Sequence, residues 1–275
     1  AQLSLLGAQA RRSALEMVYR ATSGHLGGSM SLCEILSVLY FDTMRIDPAK
    51  PDDPDRDRFV LSKGHCTPAL YSVLAMRGFF PKEMLSTFRS VDGHLSGHAE
   101  MRHVPGVDMS TGSLGQGISA ACGMALSGKI SEKKYRVWTI LGDGECEEGQ
   151  VWEAAMFAAH YGLNNLCAFV DFNGLQIDGP VTEVMNPTPL DTKFAAFGWN
   201  TLVIDGHDFD QIASAVEAAK RSAKPTAVIC KTIKGKGVSY MENVCSWHGS
   251  APKTEQYEQG MRELEEAEKA LLANV

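Results

Sequence analysis

Three features of the 275-residue chain predict an α/β fold of three layers, with a central, mainly parallel sheet covered by helices on both faces. Strand-like apolar runs at 59–61, 137–141, 166–170, 201–204 and 226–231 alternate with helical patterns almost throughout, as βαβ units require. The Gly-Asp143-Gly that ends one run and the Asp-Phe-Asn173 that ends the next lie one parallel crossover apart, since a βαβ unit takes about 30 residues. No internal repeat or composition break divides residues 1–275, which therefore read as one domain.

Taken in order, residues 3–22 carry Leu3, Leu6, Ala10, Ala14 and Val18 near helical spacing, which predicts an amphipathic helix. A glycine-rich loop, Thr22 to Met30, holds His25, and Ser31-x-x-Glu34 has the form of a capping box opening the helix of Leu32, Ile35, Leu36, Leu39 and Tyr40. The proline- and aspartate-rich stretch 45–58 reads as a surface loop before the first strand, which ends in Lys63-Gly64-His65. A helix over about 68–78 follows. Residues 90–112 show little periodicity and hold three histidines; an irregular stretch of that length inside a domain is usually functional. Gly112-Ser-Leu-Gly-Gln-Gly117 enters a helix with Ile118, Ala121, Cys122, Ala125 and Leu126 on one face. Beyond the central unit lie a proline-containing loop (176–192), a helix with Phe209, Ile212, Ala213 and Val216 between the last two strands, an irregular stretch (232–253) with His248, and a C-terminal helix from about Thr254.

The composition excludes several classes. The chain is 44% hydrophobic and 21% charged with a net charge of −7, so a nucleic-acid partner, which needs a basic face, is not expected. No apolar run approaches the roughly 20 residues of a membrane span, and the N-terminus lacks the order of a signal peptide. Seven cysteines without a C-x-x-C read as reduced thiols and point to the cytoplasm. The glycines at 112–117 are spaced G-x-x-G-x-G, unlike a dinucleotide fingerprint, and Lys234-Gly-Lys-Gly237 is not a phosphate-binding P-loop.

Neighbouring parallel strands end at the same sheet edge, so Asp143 and Asn173 should emerge side by side where open α/β sheets bind ligands. One carboxylate and one amide carbonyl suit a hard cation such as Mg²⁺, which takes few protein carboxylates and keeps phosphate and water oxygens. Either triplet alone reads as a solvated turn; the pair at one crossover's spacing reads as a metal–phosphate site.

Seven motifs in one order, spanning roughly residues 4 to 255, resemble the transketolase family: Ser-Gly-His25-Leu-Gly-Gly, Ser-Lys-Gly-His65, Gly-His98-Ala-Glu, Thr-Gly-Ser-Leu-Gly-Gln-Gly, Gly-Asp143-Gly-Glu-Cys-Glu-Glu148-Gly, Asp171-Phe-Asn173-Gly-Leu-Gln-Ile-Asp-Gly and Trp-His248-Gly. The resemblance implies the diphosphate-binding domain fold of thiamine diphosphate (ThDP) enzymes. It implies that Asp143, Asn173 and the carbonyl of Leu175 hold Mg²⁺ or another divalent ion such as Ca²⁺ or Mn²⁺. It further implies that His65, Gly144 and His248 contact the diphosphate, to which Asn173 is joined through the ion, that Gly112, Ser113, Leu114 and Ile177 line the cofactor with Ile233 in the same apolar wall, and that His25, His98 and His248 face the substrate. Glu148 and Glu153 match acids at the interface between paired active sites. The implied activity is transfer of a two-carbon ketol unit from a ketose to an aldose, with imidazoles suited to proton traffic near neutral pH.

Departures from the family pattern stand beside the match. Leucine and alanine replace the usual prolines after His25 and His98, and Ser246-Trp247 precedes His248 where the family often has another histidine. The pyrimidine-binding and C-terminal domains of a full transketolase are not within the 275 residues. The chain is thus expected to be the N-terminal subunit of a split transketolase, with a separate C-terminal subunit carrying the pyrimidine domain and an α₂β₂ assembly acting on small sugars. Another ThDP subunit (E1-type or deoxyxylulose-phosphate-synthase-like), a catalytically silent ThDP-fold scaffold and a nucleotide-binding α/β protein are the competing readings. His94, His103, His160 and His207 read as surface or structural groups. Glu145 and Glu147 read as acids placed by the dipole of the helix that follows them.

Overall fold

The computed structural model describes residues 2–273. In chain order the elements are α1 (Gln2–Ala21), α2 (Gly27–Met30), α3 (Cys33–Val38) running into a π-helical turn at Leu39–Thr43, β1 (Arg58–Leu61), α4 (Thr67–Arg77), α5 (Gln116–Ile130), β2 (Val137–Gly142), α6 (Gly149–His160) and β3 (Leu166–Phe172). There follow the short strands β4 (Leu175–Gln176) and β5 (Gly179–Pro180), α7 (Val181–Val184), α8 (Leu190–Ala196), β6 (Asn200–Asp205), α9 (Phe209–Arg221), β7 (Thr226–Lys231) and α10 (Thr254–Leu272).

The main sheet has the order β1-β2-β3-β7-β6, and every neighbouring pair is parallel. Its central strands are buried on both faces, and alternate side chains enter different cores because the strand period is two. Trp138, Ile140, Cys167 and Phe169 pack with residues of α1, α3, α4 and α9. Val137, Leu141, Leu166, Ala168 and Val170 pack with residues of α5, α6 and α8. Burying each large apolar side chain contributes about 1.5–3 kcal/mol. α10 returns over α1, where Tyr19 and Tyr257 stack at 3.9 Å between ring centroids.

The predicted strands and long helices are present within a few residues. Two local readings are corrected. Ser31 and Glu34 do not form a capping box: the Ser31 hydroxyl donates to Asp171 (2.6 Å), and Glu34 is a buried partner of Arg11 and His207. The tertiary ion pairs outcompete the local cap because both side chains point into the protein. The stretch 176–192, expected as loop, contains most of the β4–β5 hairpin, α7 and the start of α8; pieces of two to four residues carry too little periodicity to be read. Residues 90–112 are irregular as expected but firmly anchored. Leu95, Ala99, Val104 and Val107 are buried, and the Ala99 and Thr111 N–H groups donate to the carbonyls of Gly64 and Ala99 at 3.2 and 3.1 Å.

Candidate functional site

The register places Gly142 directly opposite Asp171, so the turns after β2 and β3 leave the sheet together. The Asp143 carboxylate accepts N–H bonds from Gly144 on one oxygen (2.8 Å) and from Gly174 on the other (2.6 Å). A carboxylate has about four lone-pair sites, so each oxygen keeps one for a ligand. The Asn173 amide is oriented by its nitrogen, which donates to Asp171 at 3.2 Å, while its oxygen accepts from Leu175 N–H at 3.1 Å. Asp143 is 3% exposed. Burial, and then the Asp171 charge, raise its pKa to about 6 against the two N–H bonds. A buried carboxylate in that condition is favoured by a cation.

Beneath these residues Asp171 and Lys63 form a buried ion pair. Burial works to raise the Asp171 pKa, but the Lys63 ammonium and the Ser31 and Thr232 hydroxyls hold it below the usual carboxylate range. Lys63 is two residues before His65 and Asp171 two before Asn173, so the pair ties two strand ends into one platform. Glu145 provides a second tie. It is 2% exposed and accepts from Ser62 Oγ and from the N–H groups of Gly115 (3.0 Å) and Gly142 (2.9 Å). Gly115 starts α5 at φ +82°, where any Cβ would lie 2.9 Å from Glu148; glycine is needed there both for its conformation and for space.

A cavity of about 380 Å³ opens above this platform. At one end stand Asp143, Gly144, Asn173, Leu175 and Lys234; at the other, four imidazoles. The His25 ring lies 5.0 Å from His65, 5.5 Å from His248 and 5.9 Å from His98, centroid to centroid. Lys234 bridges the two ends, donating to the Leu175 carbonyl and to His248 Nδ1, both at 2.9 Å. An ammonium only donates, so His248 Nδ1 is the acceptor and its proton sits on Nε2. Burial, followed by Lys234, pushes His248 down to about 3. Burial, followed by Arg89, His98 and Lys234, lowers His25 to about 4. Burial and Lys63 hold His65 well below its ordinary value, and burial and Arg89 lower His98. Near pH 7 the cluster is therefore neutral, and each ring has one donor and one acceptor nitrogen, the acceptor of His248 being taken by Lys234. Burial thus holds these rings below the ordinary imidazole range. The buried His25 Nδ1 has no partner among the described residues, which leaves it for a ligand.

The cavity collects nearly all the residues singled out in the sequence: His25, His65, His98, Gly112, Leu114, Asp143, Gly144, Glu148, Asn173, Leu175, Ile177 and His248. Ile177 is 65% exposed at the rim. Ser113 faces a neighbouring cavity of about 350 Å³ that shares His98 and Gly112. Glu153 lies apart, on the groove between α5 and α6. Ile233 does not line the cavity; its N–H donates to His207 Nε2 at 2.9 Å, so His207 is a structural group, as one of the two expected readings had it. Glu145 and Glu147 are not merely dipole-placed acids, since both line the cavity and Glu145 holds two loops. Lys63, Asp171 and Lys234 escape the sequence reading. Lys63 and Asp171 lie inside the seven motifs, but nothing in a single sequence signals their pairing, and Lys234 is visible only as part of a failed P-loop.

The donor set fits a magnesium–diphosphate group. Among the described residues no three His, Cys, Asp or Glu side chains form a metal cage. One carboxylate, one amide oxygen and a backbone carbonyl are what an ion that keeps phosphate oxygens needs, and the nearby lysines and imidazoles can donate to those phosphates.

Among the described residues no helix is long and apolar enough to cross a membrane. The family model "Transketolase, thiamine diphosphate binding domain" matches residues 5–268. The chain is 49% identical to the 6-deoxy-6-sulfo-D-fructose transketolase subunit SqwG of Clostridium sp. (strain MSTE9), over 93% of each chain. It is 42% identical to an apulose-4-phosphate transketolase subunit of Phocaeicola vulgatus, over 96% of this chain and 94% of that one. The Campylobacter jejuni transketolase structure superposes with a TM-score of 0.91 at 33% identity, over 96% of this chain. The chain spans 43% of that protein's length. With five parallel strands, the paired strand-end residues Asp143 and Asn173, and these matches, the chain belongs to the transketolase family and corresponds to its N-terminal, thiamine diphosphate binding domain.

Proposed function

We propose that this chain is the N-terminal subunit of a two-chain transketolase that depends on ThDP and Mg²⁺. In this reading it transfers a two-carbon ketol unit from a ketose to an aldose and works in the cytoplasm. The observation that carries the reading is the meeting of Asp143 and Asn173 at one end of a cavity whose other end is a neutral four-imidazole cluster. Asp143, Asn173 and the Leu175 carbonyl would hold the divalent ion; His65, Gly144, Lys234 and His248 would hold the diphosphate. Gly112, Ser113, Leu114 and Ile177 would line the cofactor. When bound, the cofactor supplies an electron sink for carbon–carbon bond cleavage.

The chain's own contribution is positioning and proton handling. His25, His98 and the Nε2–H of His248 would hydrogen-bond sugar hydroxyls and stabilise oxyanion charge as it develops. Neutral imidazoles can both give and take a proton there. Two relatives covering almost the whole chain are named as subunits, which supports a separate partner bearing the pyrimidine-binding half, in an α₂β₂ assembly. Glu148 and Glu153 would then lie toward the contacts joining paired sites.

The test is reconstitution with the partner chain. Turnover of ketose donors, dependent on both ThDP and Mg²⁺ and absent with 2-oxo acids, is expected. Turnover with 2-oxo acids alone would overturn the transketolase assignment. A calorimetric titration with ThDP and Mg²⁺ that gave no heat would remove the cofactor assignment.

A further inference from the structure

We infer that Arg89 is a positioning residue of this site: its guanidinium locks the loop carrying His25 to the loop carrying His98 and fixes the distance between the two imidazoles. The inference rests on the functional reading above only for its consequence on turnover; the geometry is independent of it.

Arg89 takes a left-handed backbone, φ +57°, a conformation uncommon for a residue with a side chain. The strain is held by its own N–H, which donates to the Leu95 carbonyl at 2.8 Å, and by the buried Phe88 before it. This turn aims the guanidinium back across both loops, 5.7 Å above the Phe88 ring. One nitrogen, Nη1, donates to Ser23 Oγ at 3.0 Å, two residues before His25. The same group fills the place of a side chain at Gly97, immediately before His98, where an added Cβ would sit 2.4 Å from Arg89 Cζ. Gly97 has no positive φ, and the three atoms nearest an added Cβ all belong to the Arg89 guanidinium, which would have to swing aside to admit it. One planar cation thus spans the residues leading to two imidazoles whose rings lie 5.9 Å apart.

Arg89 is exposed and enters none of the ion pairs among the described residues, so its charge reaches the histidines screened by solvent but not cancelled by a carboxylate. His25 faces Arg89, His98 and Lys234, with the His65 and His248 rings against it; His98 faces Arg89 and His25. The carboxylates of the cavity, Asp143, Glu145, Glu147, Glu148 and Asp178, belong to the segments after β2 and β3. Burial does most to keep both rings neutral, and the Arg89 charge adds to it.

The test uses Arg89→Met, which removes the charge, Arg89→Lys, which keeps the charge but loses the planar fork, and Gly97→Ala, which displaces the guanidinium. Histidine ring titrations by NMR on the chain, and kinetics on the reconstituted pair, are the readouts. Arg89→Met should raise the midpoints of His25 and His98, move the acid limb of the pH–rate profile to higher pH, and lower kcat about 10–100-fold with a smaller change in KM. Arg89→Lys should keep the midpoints near wild type and recover part of kcat. Gly97→Ala should weaken the His25–His98 ring NOE. Wild-type midpoints and kcat in Arg89→Met would overturn the assignment. If Arg89→Met does not fold, an unchanged NOE in Gly97→Ala together with wild-type kcat in Arg89→Lys would overturn it instead. A wild-type pair without ketol transfer would sink the functional reading, while the NMR titration would still decide the role of Arg89.

Discussion

The two ends of the cavity are built in opposite ways. The Asp143–Asn173 end comes from one continuous βαβ unit, and its donors are aimed by backbone N–H groups only one or two residues away or on the adjacent turn. The imidazole end is assembled from residues 25, 65, 98 and 248, carried by four separate segments. Those rings are held by side chains and by the packing of irregular loops, with Lys234 and Arg89 supplying the cross-links. The difference teaches where tolerance should lie: the first end fails by losing an atom, the second by losing its arrangement.

Four experiments would break or sharpen that contrast. The largest effect is expected beneath both ends. Lys63→Met leaves Asp171 buried without its cation and should cost about 3–5 kcal/mol in urea denaturation. Lys63→Met with Asp171→Leu should recover only part of that loss, since no charge is then stranded but Ser31, Thr232 and Asn173 lose their acceptor; a Lys63→Met variant as stable as wild type would contradict the platform role. Next, Asp143→Ala should weaken ThDP retention in the presence of Mg²⁺ by at least about 100-fold. The fold should survive, because the carboxylate serves only two N–H groups. Calorimetry showing unchanged affinity would break the metal assignment.

At the other end, His248→Ala should lower kcat of the reconstituted pair about 100-fold with little change in denaturation midpoint, because its partner Lys234 retains the Leu175 carbonyl. Wild-type turnover would make the ring a structural group. The smallest effect concerns pH. A histidine held below its ordinary value binds fewer protons folded than unfolded, so its contribution is intact above about pH 6.5 and declines as pH falls toward the folded value. With His25 at about 4 and His248 at about 3, the chain should lose stability progressively below about pH 6.5. Asp143, raised to about 6, pulls the other way over part of that range. His25→Gln isolates the imidazole contribution: it should flatten the decline seen in thermal melts, and an unaltered slope would count against the buried, neutral cluster.

The sequence by itself carried the parallel α/β sheet, because strand runs, crossover helices and turns are local patterns of fixed period. It also carried the Asp143–Asn173 pair, because the length of one crossover sets which residues leave the sheet together. The motifs were enough to resemble a family and to nominate the histidines, though not to show that they touch. The short elements between 175 and 190 were illegible for want of length, and Ser31 with Glu34 imitated a local cap while serving distant partners. Only the tertiary structure decided that Lys63 meets Asp171, that Glu145 gathers Gly115 and Gly142, that Lys234 fixes the tautomer of His248, and that the imidazoles lie close enough, and dry enough, to be neutral. The reason is that a charge's partner and its solvent exposure depend on contacts between residues far apart in the chain, and no spacing rule in one dimension encodes them.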